Sequence, residues 1–199
     1  NLIDRYLVAI EHRGIKPLLL FNKIDLASDN TQLTQDFAQI YAQLGYEVIE
    51  VSARSNQGIE QLTATLQQHT SVFVGQSGVG KSSLINAICP AAEAATGSLS
   101  EAHTKGRHTT TTASLFFLPG GGQLIDSPGI REFGLTHLDE HDIAEGFIEF
   151  RPFLGHCKFR DCRHQNDPGC ALQKALDEGK ISYQRMQSYQ LIKQSLTSD

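Results

Sequence analysis

One nine-residue stretch constrains this chain more than any other. Gly75-Gln76-Ser77-Gly78-Val79-Gly80-Lys81-Ser82-Ser83 has the spacing Gly-x4-Gly-Lys-Ser of a phosphate-binding loop. It follows a β-branched and aromatic run, Ser71 to Val74, and opens a helical pattern from Lys81 to Cys89 that Pro90 ends. That strand–loop–helix setting is what gives the spacing physical meaning. Glycines let successive backbone N–H groups curl round a phosphate, and the helix N-terminus adds its dipole. Lys81 is then placed to bridge the β- and γ-phosphates, and the Ser82 hydroxyl to ligate Mg²⁺.

The surrounding pattern supplies the sheet such a loop needs. Leu2, Ile3, Tyr6, Leu7 and Ile10 recur at helical spacing, and Arg13-Gly14 stops them. Lys16 to Phe21 reads as a buried strand, 31–44 as a helix, 46–51 as a strand and 59–69 as a helix. Residues 91–112 are aperiodic and read as a loop, and 113–118 with 123–125 read as a hairpin around Pro119-Gly120-Gly121-Gly122. Strands alternating with helices predict a three-layer α/β fold of the P-loop class, its sheet mostly parallel and covered on both faces. This phosphate-binding domain is expected over 1–138. After Asp139 the pattern changes to a helix, a Cys/His loop and two further helices, read as a small helical domain over 139–199.

Three further motifs select a base. Asn22-Lys23-Ile24-Asp25 follows a buried strand. A carboxylate there accepts two hydrogen bonds from guanine N1–H and N2–H, which adenine lacks, while the Asn orients the loop and meets N7; adenine would leave the carboxylate unpaired. Ser52-Ala53-Arg54, after the next strand, reads as a second guanine loop offering a backbone N–H to O6. Asp126-Ser127-Pro128-Gly129 ends a strand as Asp-x-x-Gly, its Asp holding Mg²⁺ through water and its Gly N–H sensing a γ-phosphate. A polar turn after a strand is common, but four such motifs at four strand ends point to a guanine-nucleotide site.

Cys157-x4-Cys162-x-His164-x5-Cys170 offers three thiols and an imidazole within fourteen residues, the inventory of a closed, tetrahedral structural zinc site. His156 is an alternative fourth ligand. Pro168-Gly169 provides a turn before the last thiol, and a metal suits a region too small to hold its own core. Cys89, on the helix after the phosphate loop, reads as a small core residue.

The net charge of −5 describes neither part. Residues 1–150 hold 9 Lys and Arg against 17 Asp and Glu, whereas residues 151–199 hold 8 against 5. Arg151, Lys158, Arg160, Arg163 and Lys174 gather about the Cys/His loop, where they can meet RNA phosphates or water equally well. The longest apolar runs are four or five residues, far from the roughly 20 that span a bilayer. No basic start leads into an apolar stretch, so the cytoplasm is the expected compartment.

In a common GTPase the phosphate loop comes first and Asn-Lys-x-Asp late; here residues 22–25 and 52–54 precede 75–83, which precede 126–129. A circular permutation preserves sheet contacts and therefore the site. With Gly106-Arg107-His108-Thr109-Thr110-Thr111, Asp126 to Phe133 and the Cys/His cluster, the chain resembles the RsgA (YjeQ/YloQ) family of circularly permuted GTPases, small-ribosomal-subunit biogenesis factors. The resemblance covers essentially the whole chain. It implies GTP and GDP with Mg²⁺ as ligands, one structural Zn²⁺ with His164 as the fourth ligand, and the small ribosomal subunit with its rRNA as partner, without membrane or DNA, the protein acting as a monomer. It also implies an N-terminal OB-fold domain that nothing here matches, so the chain is expected to be part of a longer protein. Where Ras-like proteins carry a water-orienting Gln after Asp-x-x-Gly, Ile130 stands here. The resemblance points to His108 as the group that positions water, and to Thr110 or Thr111 for completing Mg²⁺ coordination. Arg107 and Arg131 are candidates for phosphate or partner contacts. Two rival readings are a non-catalytic GTP-dependent binding module, which Ile130 favours, and a permuted GTPase of the large subunit, against which the zinc loop argues.

Overall fold

A computed structural model describes residues 2–26, 31–90, 113–126, 135 and 137–196. In chain order these form α1 (Leu2–His12), β1 (Leu18–Asn22), a 3₁₀ turn (Ile24–Leu26), α2 (Thr31–Gln43), β2 (Glu47–Val51), α3 (Ile59–Leu66), β3 (Thr70–Phe73), α4 (Lys81–Ile88), β4 (Ser114–Phe117), β5 (Gln123–Asp126), α5 (Glu140–Gly146), a 3₁₀ turn (Arg151–Phe153), α6 (Ala171–Asp177) and α7 (Tyr183–Leu196). The chain divides into two compact units, Leu18–Glu132 and Asn1–Pro17 with Phe133–Asp199.

The first unit is the expected α/β layering. β1 pairs parallel with β2, and β3 pairs parallel with β5, which takes β4 on its other edge as an antiparallel hairpin partner. Among the described residues the hydrogen bonding makes two ladders, β1-β2 and β3-β5-β4. Between them and the helices lies one apolar cluster that includes Ile49, Val51, Leu62, Phe73, Leu84, Ile85 and Leu124. Cys89 belongs to it, with its thiol on the Phe117 carbonyl at 3.4 Å. The periodicity predicted α3 as far as His69, but the helix ends at Leu66. Gln68 turns left-handed at φ 63, which frees the His69 carbonyl to accept from Gln123 N–H at 2.8 Å. Gly122 closes on the same turn, where any Cβ would lie 2.7 Å from the Leu66 oxygen.

The expected domains were 1–138 and 139–199; in the second unit α1 packs with α5 and α7. Val8 and Ala9 enter a cluster with Ile143, Phe147, Phe150, Leu172, Met186, Tyr189 and Ile192. Gly146 permits the close approach, since a Cβ there would lie 2.8 Å from Val8 Cγ1 and 2.9 Å from its Cα. A buried polar network reinforces it: Asp4 accepts from Arg185 and Ser188, and Arg185 Nε donates to Glu149 at 2.6 Å while its guanidinium lies 4.4 Å from the Phe147 ring centroid. Helix α5 begins at a capping box, Asp139 accepting from Asp142 N–H at 2.8 Å and returning its own N–H to the Asp142 carboxylate at 3.0 Å.

Candidate functional site

Parallel pairing carries both guanine motifs off one end of a strand pair. Asn22, the last residue of β1, is in register with Val51, the last of β2, so Lys23 to Asp25 and Ser52 to Arg54 leave side by side. In the other ladder Phe73 is in register with Asp126, which sets the Asp-x-x-Gly carboxylate beside the strand that enters the phosphate loop.

Two side chains then tie motifs that are distant in sequence. Asn22 Nδ2 donates to the Val79 carbonyl at 2.9 Å, and Lys23 Nζ donates to the Gly78 carbonyl at 2.7 Å. The Asn22 side chain also accepts from Lys23 N–H at 2.8 Å, which holds Lys23 in its left-handed conformation at φ 68. Gly80 caps α4 at φ 99, ψ 22, and any Cβ there would overlap the Asn22 amide nitrogen. The glycine thus serves both the backbone turn and the seat of the Asn22–Asp25 loop. Lys81 Nζ donates to the carbonyls of Gly75 and Gln76 at 2.7 and 2.9 Å. Gln76, Ser77, Gly78, Val79, Ser82 and Ser83 are exposed, open to a ligand.

Ser52 is fully buried. Its hydroxyl donates to Asp25 Oδ1 at 2.6 Å and accepts from Ser55 N–H at 3.1 Å. The carboxylate that would read guanine is therefore oriented from beneath, while its residue stays exposed. Sequence reasoning placed Asn22 to Asp25, Ser52 to Arg54, Gly75 to Ser83 and Asp126 in one site, and the structure brings the first three groups together. It missed the bridging role of the Lys23 ammonium and the Ser52 hydroxyl, because neither a left-handed lysine nor a buried serine has a local signature. His108, Thr110, Thr111 and Gly129, with Arg107, Ile130 and Arg131, lie outside the described residues.

In the second unit the donor atoms of Cys157, Cys162, His164 and Cys170 all lie within 4.8 Å of one another. His164 Nδ1 is 3.6 Å from the Cys157 and Cys162 sulfurs and 3.4 Å from that of Cys170. Tetrahedral Zn²⁺ bonded to thiolate and imidazole requires S···N edges of about 3.6 Å. The donors fit the ion, and the histidine among them is His164, not His156. Left-handed His164 and Asn166, at φ 59 and 63, fold the loop back on itself. Backbone N–H groups already address two sulfurs: Ala171 donates to Cys157 at 3.3 Å and Gln173 to Cys170 at 3.5 Å. Burial first, then the neighbouring Cys157 and Cys170 thiols, push the Cys162 thiol up to about 12 against the pull of the His164 backbone. Burial, then the Lys193 ammonium, hold the His164 imidazole below its ordinary value, with Asp167 and Glu140 opposing them less. Both shifts favour the uncharged forms of His164 and Cys162; a metal ligand needs the imidazole neutral and the thiol ionised.

A phosphate loop joined to Asn-Lys-x-Asp and Ser-Ala-Arg loops that precede it in the chain defines a circularly permuted P-loop GTPase fold, here followed by a helical unit with a candidate metal site. A family model described as RsgA GTPase matches residues 1–136. The chain belongs to this RsgA GTPase family. The small ribosomal subunit biogenesis GTPase RsgA of Ectopseudomonas mendocina is 58% identical over 100% of this chain and 58% of its own length, and that of Azotobacter vinelandii is 60% identical over 98% and 57%. The chain thus spans under two thirds of these relatives. The crystal structure of YjeQ from Thermotoga maritima matches with a TM-score of 0.82 at 31% identity, covering 100% of this chain and 66% of that one. YloQ, described as a circularly permuted GTPase, matches at 0.74 and 32% identity, covering 99% and 62%. Among the described residues no helix is long and apolar enough to cross a membrane.

Proposed function

We propose that the protein to which this chain belongs hydrolyses GTP as an assembly factor of the small ribosomal subunit in the cytoplasm, the subunit stimulating hydrolysis and hydrolysis releasing the factor. The observation that carries the reading is the seating of Asn22 and Lys23 on the carbonyls of Val79 and Gly78 at 2.9 and 2.7 Å, which joins two separate motifs and so supports a single guanine-nucleotide site. The names of its relatives support the partner, and an excess of Lys and Arg over Asp and Glu in 151–199 is compatible with rRNA.

In this reading Asp25, held by Ser52, accepts both guanine donors, and the backbone of 52–54 meets O6. Residues 75–83 cradle the phosphates, with Lys81 across the β- and γ-groups. Ser82 and Asp126 would hold Mg²⁺, which when bound neutralises charge on those phosphates. Water oxygen attacks the γ-phosphorus, the bond to the β–γ bridging oxygen breaks, and its electron pair leaves with GDP. The water's proton passes to the phosphate released; His108 would orient that water, Thr110 or Thr111 would add a ligand to Mg²⁺, and the Gly129 N–H would sense the γ-phosphate. The Cys3His cluster would hold one structural Zn²⁺.

Phosphate release by the whole protein, with and without purified small subunits, tests this. Stimulation that His108→Ala abolishes is the expected result. No release under either condition would establish the non-catalytic binding module instead, and co-sedimentation with large rather than small subunits would reassign the partner.

A further inference from the structure

Lys193, on α7, keeps only 3% of its side chain exposed, although an ammonium is costly to bury without a specific partner. Its Nζ donates to the Arg163 carbonyl at 2.7 Å, lies 2.7 Å from Glu140 Oε2, and stands 5.5 Å from the centroid of the Tyr189 ring. Arg163 is the residue between two candidate ligands, Cys162 and His164. The chain turns left-handed at the second of these, so the Arg163–His164 peptide plane sets where both donor atoms point. The Tyr189 ring, fixed edge-on against Phe147 and Phe150, lies 6.5 Å from the His164 ring and completes the packing.

An ion pair alone does not account for this placement. The Glu140 side chain is 50% exposed, and a Lys–Glu pair of that kind is as well served at the surface. Charge balance supplies the missing reason. A divalent ion held by three thiolates and a neutral imidazole carries a net charge of −1, and a partly buried anion needs a counter-charge that water does not screen. Glu140 is half in solvent, whereas Lys193 is not, so the ammonium's field reaches the cluster less diminished.

We propose that Lys193 is a positioning residue of the metal centre, clamping the Cys162–His164 turn through the Arg163 carbonyl and supplying the counter-charge to the loaded Cys3His site. The inference rests on that site taking Zn²⁺, as read above. Zn²⁺ affinity measured by chelator competition on the full chain tests it, with Co²⁺ absorption as a second readout. Changes around a metal's ligands typically alter affinity by about 10- to 100-fold, and Lys193→Met is expected to lose that much. Lys193→Arg should recover most of it, and Glu140→Gln should bind at least as tightly as the unaltered chain. The tetrahedral Co²⁺ bands persist in every variant, while the thiolate-to-metal charge-transfer band moves in Lys193→Met alone. Unchanged affinity in Lys193→Met overturns the proposal. Equal losses in Lys193→Met and Glu140→Gln also overturn it, marking the pair as a strut of the fold. If Lys193→Met does not fold, a loss in Glu140→Gln is sufficient to overturn it, and retained affinity there with recovery in Lys193→Arg supports it. No uptake of either ion by the unaltered chain removes the metal reading itself, and this inference with it.

Discussion

Ser52→Ala deletes one hydroxyl with no solvent exposure, yet it should cost much of the guanine affinity. The hydroxyl donates to Asp25 Oδ1 at 2.6 Å and accepts from Ser55 N–H at 3.1 Å. A hydrogen bond to a charged group contributes about 1.5–3 kcal/mol when water cannot replace it. In the free chain Asp25 is exposed, so water substitutes and stability changes little. Beneath a bound base that water is excluded, and the full deficit falls on binding. At 1.4 kcal/mol per tenfold, GDP should bind about 10- to 100-fold more weakly. Titration with a fluorescent GDP analogue, with ADP and xanthosine diphosphate alongside, measures it. Asp25→Asn should move preference towards xanthosine nucleotides, and Ser52→Ala on that background should cost far less, because the charge it served has gone. Affinity within about twofold of the unaltered chain, or an equal loss on both backgrounds, would refute the reasoning.

Other consequences follow from single contacts. Gly80→Ala puts a side chain at φ 99 and into the Asn22 amide; beyond the roughly 1–2 kcal/mol of left-handed strain, it should unseat the base-reading loop, so calorimetry should show GDP affinity falling further than thermal stability. Asp4→Ala takes one carboxylate from the buried Arg185 guanidinium, which keeps Glu149, so the loss should fall below the about 3–5 kcal/mol of a buried charge left unpaired, readable as a lower urea midpoint for the Tyr189-containing core. Without metal, the raised Cys162 thiol favours the protonated folded state, so that contribution is present below the ordinary thiol value and lost as pH rises from there through about 12. With Zn²⁺ bound the thiols are already ionised, so urea midpoints at about pH 8 and pH 10 should diverge in chelator and stay together in zinc.

Most of the α/β layout was legible because its cues are local. Apolar and β-branched runs ending in glycine or polar turns marked strands whose ends shifted by one or two residues, as β1 did from 16–21 to 18–22 and β3 from 71–74 to 70–73. The end of α3 was not legible, since what stops it is Gln68 turning towards Gly122, 54 positions on. Helix α1 read as amphipathic, but its periodicity names no partner. That choice rests on Gly146 leaving room for Val8 and on Arg185 reaching Asp4, contacts that only the folded chain creates.

By itself the sequence determined the order of the nucleotide motifs, and therefore the permutation, together with the inventory of three thiols and two candidate imidazoles. Those are properties of spacing along a chain, and spacing survives without coordinates. Tertiary structure decided which imidazole nitrogen faces the thiols, that a serine beneath Asp25 and a lysine across the phosphate loop join the site, and that the ammonium of Lys193 stands behind the ligand turn. Each of these depends on groups brought to within about 4 Å of one another, the range at which hydrogen bonds, metal ligands and close charges act, and no spacing rule encodes that distance.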